Sequence, residues 1–386
     1  MKRVIMLLPS LNNGGMERVA AALSTEFSKN YDLSTISLYP SKNDFGIQGK
    51  IYCIDIPLQN SLLKKVEMTA ARILKYRALK QRIQPDVVLS FGEIANFVSI
   101  LSGGFERKII TVHSIKSVEN LPEGFKGQLT DAFMKVLYRQ QKNIVCVSQS
   151  SKDDLIASYH ISTENIEVIP NPNDIHKIQC LSEESIDDFP SSNGKICLIS
   201  IGRLITIKAF HRIIRVVSEL EKENPGKFQL LIIGDGPERS NLEQLVREKR
   251  LEKVVFLMGQ KRNPFPYLRK SDLFVLTSDV EGFGMVLVES LTCGVPVIST
   301  DCVSAVRDIL QISSDSDVGA GGVVIPMFNQ DLEYTKDLNP IELLLKNRIL
   351  EISQGMYGRF PHLRENIERF SASEVSKKYM RIVDAL

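Results

Sequence analysis

Two glutamates eight residues apart, Glu281 and Glu289, bracket the turn Gly282-Phe283-Gly284. A strand-like run, Leu273–Thr277, precedes them, and a helical pattern over 284–293 follows. A helix opening behind such a turn offers free N–H groups to an anion. Glu289 lies among Val286, Leu287, Val288 and Leu291. An acid in that company must be paired or hydrogen-bonded, or it costs several kcal/mol. Ribose hydroxyls are one set of partners, and neighbouring backbone is another. A second constellation, Gly202-Arg203-Leu204-Ile205-Thr206-Ile207-Lys208, follows the run Ile196–Ile201. Two cations five residues apart at the carboxyl end of a strand can clamp a diphosphate and neutralise a leaving group. That spacing is common, and its position gives it value. Gly14-Gly15 sits between the first strand and the first helix, where paired glycines admit a ligand to the backbone or make a plain turn. It lacks the second half of the G-x-G-x-x-G dinucleotide fingerprint. Gly234-Asp235-Gly236-Pro237 reads best as a structural strand-to-helix connection, with Pro237 in the first helical turn.

These groups need elements to hold them, and the chain supplies short apolar runs alternating with longer amphipathic stretches. Val4–Leu8, Leu33–Leu38, Ile51–Ile56, Asp86–Phe91, Lys108–Val112, Ile144–Ser148 and Ile166–Ile169 read as strands. Their Val- and Ile-rich runs without strict alternation suit strands covered on both faces. Met16, Val19, Ala20, Leu23 and Phe27 follow helical spacing. Residues 176–194 carry acids and the Pro190-Ser191-Ser192-Asn193-Gly194 cluster, which is linker chemistry. The alternation then restarts, with strands at Ile196–Ile201, Phe228–Ile233, Val254–Leu257, Leu273–Thr277, Pro296–Thr300 and Val323–Ile325. Helices are expected at 208–222, 238–249, 284–293 and 341–353. The reading is therefore two doubly wound α/β domains, 1–175 and 195–370, with a helix pattern at 371–386 that can pack anywhere, including back on the first domain. The cleft between two such domains is the default ligand site.

Composition excludes several classes. The 386 residues are 43% hydrophobic and 24% charged with net charge +2, so the chain is neither disordered nor strongly nucleic-acid-like. No run approaches a membrane span. The opening apolar run stops at Pro9, and reads as a buried strand rather than a signal peptide. The six cysteines form no C-x-x-C pair, and Cys53, Cys146 and Cys197 sit in strand-like runs as small core residues, which suits a reducing cytosol. The five histidines, 113, 160, 176, 211 and 362, show no metal spacing, so no protein-bound metal is expected. Residues 61–84 hold seven basic side chains against one acid, together with Leu62, Leu63, Val66, Ala70, Ile73, Leu74 and Leu79. Such a helix either lies on an anionic membrane or packs its apolar stripe on its own sheet.

The Glu281/Glu289 pair around Gly-Phe-Gly resembles the E-x7-E motif of family 4 glycosyltransferases, which have the GT-B fold of two Rossmann-like domains facing each other across a cleft. The likeness extends to the Gly14-Gly15 loop, Val147-Ser148, Ile169-Pro170-Asn171-Pro172-Asn173, Arg203 with Lys208, Gly234-Asp235-Gly236, Gly259 with Asn263, and Ser299-Thr300-Asp301-Cys302. The resemblance implies sugar transfer from a nucleotide donor with retention at the anomeric carbon and no bound metal. It makes Arg203 and Lys208 the diphosphate pair, Glu289 the ribose ligand, and Glu281 the partner of the transferred sugar. Backbone groups of Phe283, Gly284, Met285 and Val286 would complete the donor site with Gly202, Gly234 and Asn263, while Gly14 and Gly15 would face the diphosphate from the other domain. His113, ending the run Thr111-Val112-His113, would lie near the sugar. Ala209 and His211 depart from the usual pattern, standing where relatives often have glycine and an acid. No second carboxylate pairs with Glu281 as a retaining hydrolase requires, and the resemblance favours front-face substitution over covalent attack by Glu281.

The reading is a cytoplasmic transferase, peripheral on the inner face of the plasma membrane through 61–84. It moves a hexose or N-acetylhexosamine from a UDP-sugar to a lipid-linked glycan or lipopolysaccharide intermediate, with no cofactor and no nucleic acid partner. The alternatives are a GDP-mannose-dependent transferase, a GT-B-fold sugar-nucleotide epimerase, and a two-domain carbohydrate-binding protein.

Overall fold

The computed structural model describes residues 1–12, 14–56, 62–121, 124–191, 194–328, 337–356, 360 and 363–385. Asn13, Ser192, Asn193, His362 and Leu386 lie outside the described residues, as do the side chains of 62–66. The chain forms two units, Met1–Asp174 with Arg369–Leu386, and Ile175–Glu368.

The first unit contains β1 (Arg3–Leu8), α1 (Gly15–Asn30), β2 (Asp32–Ser37), β3 (Lys50–Cys53), α2 (Leu62–Ile83), β4 (Val87–Phe91), α3 (Glu93–Leu101), β5 (Arg107–Val112), α4 (Lys116–Asn120), α5 (Phe125–Leu137), β6 (Ile144–Cys146), α6 (Gln149–Tyr159) and β7 (Ile166–Val168). Its sheet runs β3-β2-β1-β4-β5-β6-β7 with every pair parallel. Val4 to Leu8 are fully buried, as a central strand covered on both faces requires. The strand order reverses between β1 and β4, which opens a crevice at their carboxyl ends.

Helix α2 lays its apolar stripe on this sheet: Met68, Ala71, Ile73, Leu79 and Ile83 pack beside the buried Tyr76 against Ile5, Leu7 and Val88. Of the stripe expected to face a bilayer or the sheet, Ile73 and Leu79 pack on the core and Ala70 and Leu74 are exposed, while the side chains of Leu62, Leu63 and Val66 lie outside the described residues. Two of its cations also point inward. Arg72 donates to Ile56 O at 2.8 Å and covers the Tyr39 ring, and Lys80 pairs with Glu106 and Ser102. Cys53, expected in the core, is exposed on edge strand β3.

The second unit contains α7 (Ile175–Ser182), β8 (Ile196–Ile201), α8 (Phe210–Glu223), β9 (Phe228–Ile233), α9 (Arg239–Glu248), β10 (Val255–Gly259), α10 (Phe265–Arg269), β11 (Leu273–Leu276), α11 (Met285–Thr292), β12 (Val297–Thr300), α12 (Ser304–Leu310), β13 (Val318–Gly319), β14 (Gly322–Ile325) and α13 (Pro340–Ser353). The sheet order is β10-β9-β8-β11-β12-β14-β13, parallel except for the short edge strand β13. Its crevice lies between β8 and β11.

The described residues of the 176–194 linker fall within this second unit. Helix α7 packs on α10 and α11, and the acids behind it meet specific partners. Asp188 pairs with Lys261 and accepts from the Tyr267 hydroxyl, which holds its carboxyl below the usual range. The last helix, α14 (Ala372–Ala385), packs on α1 in the first unit, where Lys2 donates to Val383 O at 2.8 Å and Tyr31 to Asp384 at 3.0 Å.

Candidate active site

In the second unit, the loops leaving β8 and β11 are tied to each other by backbone. Asp279 N–H donates to Ile207 O at 2.8 Å, and the Thr277 hydroxyl donates to Ala209 O at 3.1 Å. Arg212 reaches from α8 to the Asp279 carboxylate and lies 4.1 Å over the Phe328 ring. The Thr300 hydroxyl, from the end of β12, donates to Ser278 O at 2.6 Å. These ties bring Lys208 Nζ to 2.5 Å from Glu281 Oε1, and Ser278 Oγ donates to the same oxygen at 2.9 Å. Burial with the Glu281 charge beside it pushes the Cys302 thiol at this spot up to about 12.

Arg203 stands exposed one strand-end away and has no side-chain partner among the described residues. Its turn is seated on the Gly234 loop: Gly202 N–H donates to Ile233 O at 3.0 Å and Leu204 N–H to Asp235 O at 3.0 Å. Gly234 has φ +145°, and a Cβ there would overlap Gly202 O. Gly202 and Gly234 thus set where the Arg203 turn lies.

Helix α11 begins at Gly284, whose φ of +88° and ψ of 49° lie in the left-handed region that favours glycine. Leu287 N–H turns back to Gly284 O at 2.9 Å. The Met285 and Val286 N–H groups, at the first turn, have no intrahelical carbonyl to meet. Phe283 is buried beneath the turn, and Glu289, one turn into the helix, is only 2% exposed. Arg203, Lys208, Glu281, Glu289 and residues 283–286 therefore share the carboxyl edge around the β8/β11 crevice. Asn263 does not join them by its bonding. Its amide donates to Leu181 O and to Glu184, both at 2.8 Å, and its oxygen accepts from Phe265 N–H.

In the first unit, Gly14 caps α1 at the carboxyl end of β1. Glu17 reaches back from the first helical turn and accepts from Ser10 Oγ at 2.8 Å, and a Cβ on Gly14 would meet its carboxylate. Gly15 borders open space. His113 follows β5. Its ring stacks on Phe91 at 5.9 Å between centroids, and Nε2 lies 2.7 Å from Thr111 Oγ1. The Thr111 hydroxyl already donates to Ser90 O at 2.9 Å, so Nε2–H is the donor to Thr111 and Nδ1 is left as the basic nitrogen. Burial, then the Lys116 charge, lowers His113 to about 4, against a raising contribution from Asn171, so the ring is neutral at pH 7. Lys116 is itself buried and pairs with Glu93 at 2.9 Å and with Glu119. Those acids outweigh the cost of its burial and raise its pKa.

The sequence reading missed Ser278, Asp279, Arg212, Lys116 and Glu93. Only Ser278 and Asp279, lying between the Leu273–Thr277 run and Glu281, carried a local signal. Chemically, the loops at this edge of the second unit carry two cations, two carboxylates, one of them buried, and a helix N-terminus. That set fits a diphosphate bearing hydroxylated groups on both sides. No group of three His, Cys, Asp or Glu side chains among the described residues is placed to hold a metal ion.

Two family models match the chain: "Glycosyltransferase Family 4" over residues 13–177 and "Glycosyl transferases group 1" over 182–326. A Campylobacter jejuni relative, the N-acetylgalactosamine-N,N'-diacetylbacillosaminyl-diphospho-undecaprenol 4-alpha-N-acetylgalactosaminyltransferase, is 28% identical over 315 residues, 80% of this chain and 83% of that one. The amylovoran biosynthesis glycosyltransferase AmsD of Erwinia amylovora is 25% identical over 357 residues, covering 90% of this chain and 93% of its own length. Among solved structures, Anabaena HepE in complex with UDP-glucose aligns over the whole of both chains with TM-score 0.76 at 18% identity. The lipopolysaccharide outer core galactosyltransferase WaaB does so with TM-score 0.70 at 20% identity. The shared architecture is the GT-B fold.

Proposed function

Because the chain belongs to the family 4 glycosyltransferases, we propose that it moves a hexose or N-acetylhexosamine from a UDP-sugar to a lipid-linked glycan, with retention and without a metal. The observation that carries the donor half is the carboxyl edge at β8/β11, where Arg203, Lys208, Glu281, Glu289 and the α11 N-terminus converge. Arg203 and Lys208 hold the diphosphate, Glu289 takes the ribose hydroxyls, and Glu281 meets the hydroxyls of the sugar. Gly15, bordering open space at the first unit's own crevice, and the neutral His113 belong to the acceptor and sugar side. Support for the donor comes from the UDP and UDP-glucose complexes of HepE, and for the acceptor from the diphospho-undecaprenol substrate in the name of the Campylobacter relative.

In this reading the acceptor oxygen attacks the anomeric carbon from the face the diphosphate leaves. The bond from that carbon to the phosphate oxygen breaks as the new glycosidic bond forms. The acceptor proton passes to the departing phosphate. Arg203 and Lys208 neutralise the charge that develops there, the work a divalent metal does in other transferases.

Calorimetric titration of UDP in EDTA, with GDP and NAD in parallel, tests the reading. UDP binding that is lost in Glu289→Gln, with circular dichroism unchanged, supports a metal-independent UDP-sugar transferase. Preference for GDP moves the donor to GDP-mannose or a related sugar nucleotide. No binding of UDP or GDP overturns the donor assignment.

A further inference from the structure

The two donor-site cations are committed unequally. Arg203 stands exposed with no side-chain partner among the described residues, so a phosphate can meet it without displacing anything. Lys208 is already engaged. Its Nζ lies 2.5 Å from Glu281 Oε1, and Ser278 Oγ donates to that same oxygen at 2.9 Å. Both side chains of the pair are largely buried, so water and salt screen their attraction little.

The loops that carry the pair are held by other bonds. Asp279 N–H donates to Ile207 O at 2.8 Å, and the Thr277 hydroxyl reaches Lys208 O at 3.3 Å and Ala209 O at 3.1 Å. Ser278 is fixed through its carbonyl, which accepts from the Thr300 hydroxyl at 2.6 Å. The two charged side chains can therefore part while the backbone stays in place. Arg212 cannot take over from Lys208, because it is given to Asp279 and lies over the Phe328 ring. A Glu281 carboxylate that loses Lys208 keeps the Ser278 bond, and a largely buried carboxylate short of partners is unfavourable.

What the diphosphate carries then decides the outcome. Bare UDP draws Lys208 to its phosphates and offers Glu281 nothing in exchange. A UDP-sugar draws Lys208 in the same way and brings hydroxyls that donate to the freed carboxylate. We propose that the Lys208–Glu281 pair sets a preference for the sugar nucleotide over UDP. The inference rests on the proposed donor site, in which the diphosphate takes Lys208 and the sugar takes Glu281. The ion pair re-forms as UDP departs after transfer, and so favours release of that product. Ser278 enters as a residue that tunes the preference, since its hydroxyl is the bond the carboxylate retains in the UDP complex.

Calorimetric titration with UDP, UDP-glucose and UDP-N-acetylglucosamine tests it on the wild type and three variants, with circular dichroism as the check on folding. Glu281→Gln removes the charge that holds Lys208, so UDP is expected to bind roughly tenfold more tightly while neither UDP-sugar gains. Ser278→Ala is expected to act in the opposite direction, weakening UDP roughly threefold and the better-bound UDP-sugar by less. Lys208→Met should weaken all three. A purely structural pair would instead lower every affinity together in Glu281→Gln. Equal or weaker UDP binding in Glu281→Gln, an equal gain for UDP and the UDP-sugars, or wild-type UDP affinity in Lys208→Met overturns the proposal. If Glu281→Gln fails to fold, Ser278→Ala decides, and UDP affinity unchanged or raised there overturns it. Wild-type binding of UDP with unaltered ratios across the variants sinks this inference and leaves the donor assignment standing. Absence of UDP binding by the wild type sinks the donor assignment and this inference with it.

Discussion

Lys208 and Glu281 are 73 residues apart in sequence and 2.5 Å apart in space, with side chains 19% and 11% exposed. A charge-assisted bond is worth about 1.5–3 kcal/mol net, and truncating one partner of a largely buried pair leaves the other charge uncompensated. Lys208→Met should therefore destabilise the protein by about 2–3 kcal/mol. Glu281→Gln should cost less, about 1–2 kcal/mol, because Ser278 can still donate to the amide oxygen and Lys208 regains water. The double variant should lie close to Lys208→Met, giving a coupling of about 1–2 kcal/mol. The chain has no Trp, so urea unfolding is followed by far-ultraviolet circular dichroism. Additivity of the two single variants within about 0.3 kcal/mol would refute the ion pair as a structural contact. Arg203→Ala is the matched control. Its side chain has no partner among the described residues, so stability should move by less than about 0.5 kcal/mol while turnover falls roughly 100-fold or more. Unchanged turnover would remove Arg203 from the diphosphate site.

Gly234→Ala should destabilise by about 2 kcal/mol or more and lower UDP affinity, since its Cβ overlaps Gly202 O and shifts the Arg203 turn; wild-type calorimetry in that variant would contradict the close approach. Gly15→Ala, with nothing near its Cβ, should leave the urea midpoint almost unchanged yet reduce turnover, and normal turnover would exclude Gly15 from the site. Burial lowers His113 and His211 to about 4 from 6.5. The unfolded chain then binds more protons between these values, so stability is full above about pH 6.5 and is lost as pH falls toward 4, by up to about 3 kcal/mol per histidine. His113→Gln should flatten that dependence in urea titrations from pH 7.5 to 5, and an unaltered slope would contradict a buried neutral ring. Ala209 holds φ +49°, so Ala209→Gly should be neutral or stabilising by up to about 1 kcal/mol, and a clear loss of thermal midpoint would show that its buried methyl matters more than backbone strain.

Much of the fold was legible in local pattern. Strands covered on both faces appear as Val- and Ile-rich runs, and the Gly-Phe-Gly turn before an apolar helix marked the start of α11 within a residue. Charge on an amphipathic helix was less legible. The cations of α2 looked like one basic face, but Arg72 and Lys80 follow their stems inward to Ile56 O and Glu106. Composition likewise made 176–194 a linker, because the Arg269, Lys261 and Tyr267 partners of its acids lie some 80 residues on.

The sequence by itself determined which residues bear charge, where glycine frees the backbone, and that βα units repeat in two series. Periodicity and turn chemistry are local, and one chain segment suffices to state them. Tertiary structure alone decided that Lys208 meets Glu281, that Asn263 is engaged by Leu181 and Glu184, and that α5 turns Leu129 and Val136 outward. Each of these depends on strand order and on which helix face the sheet accepts, and those follow from packing summed over the whole unit.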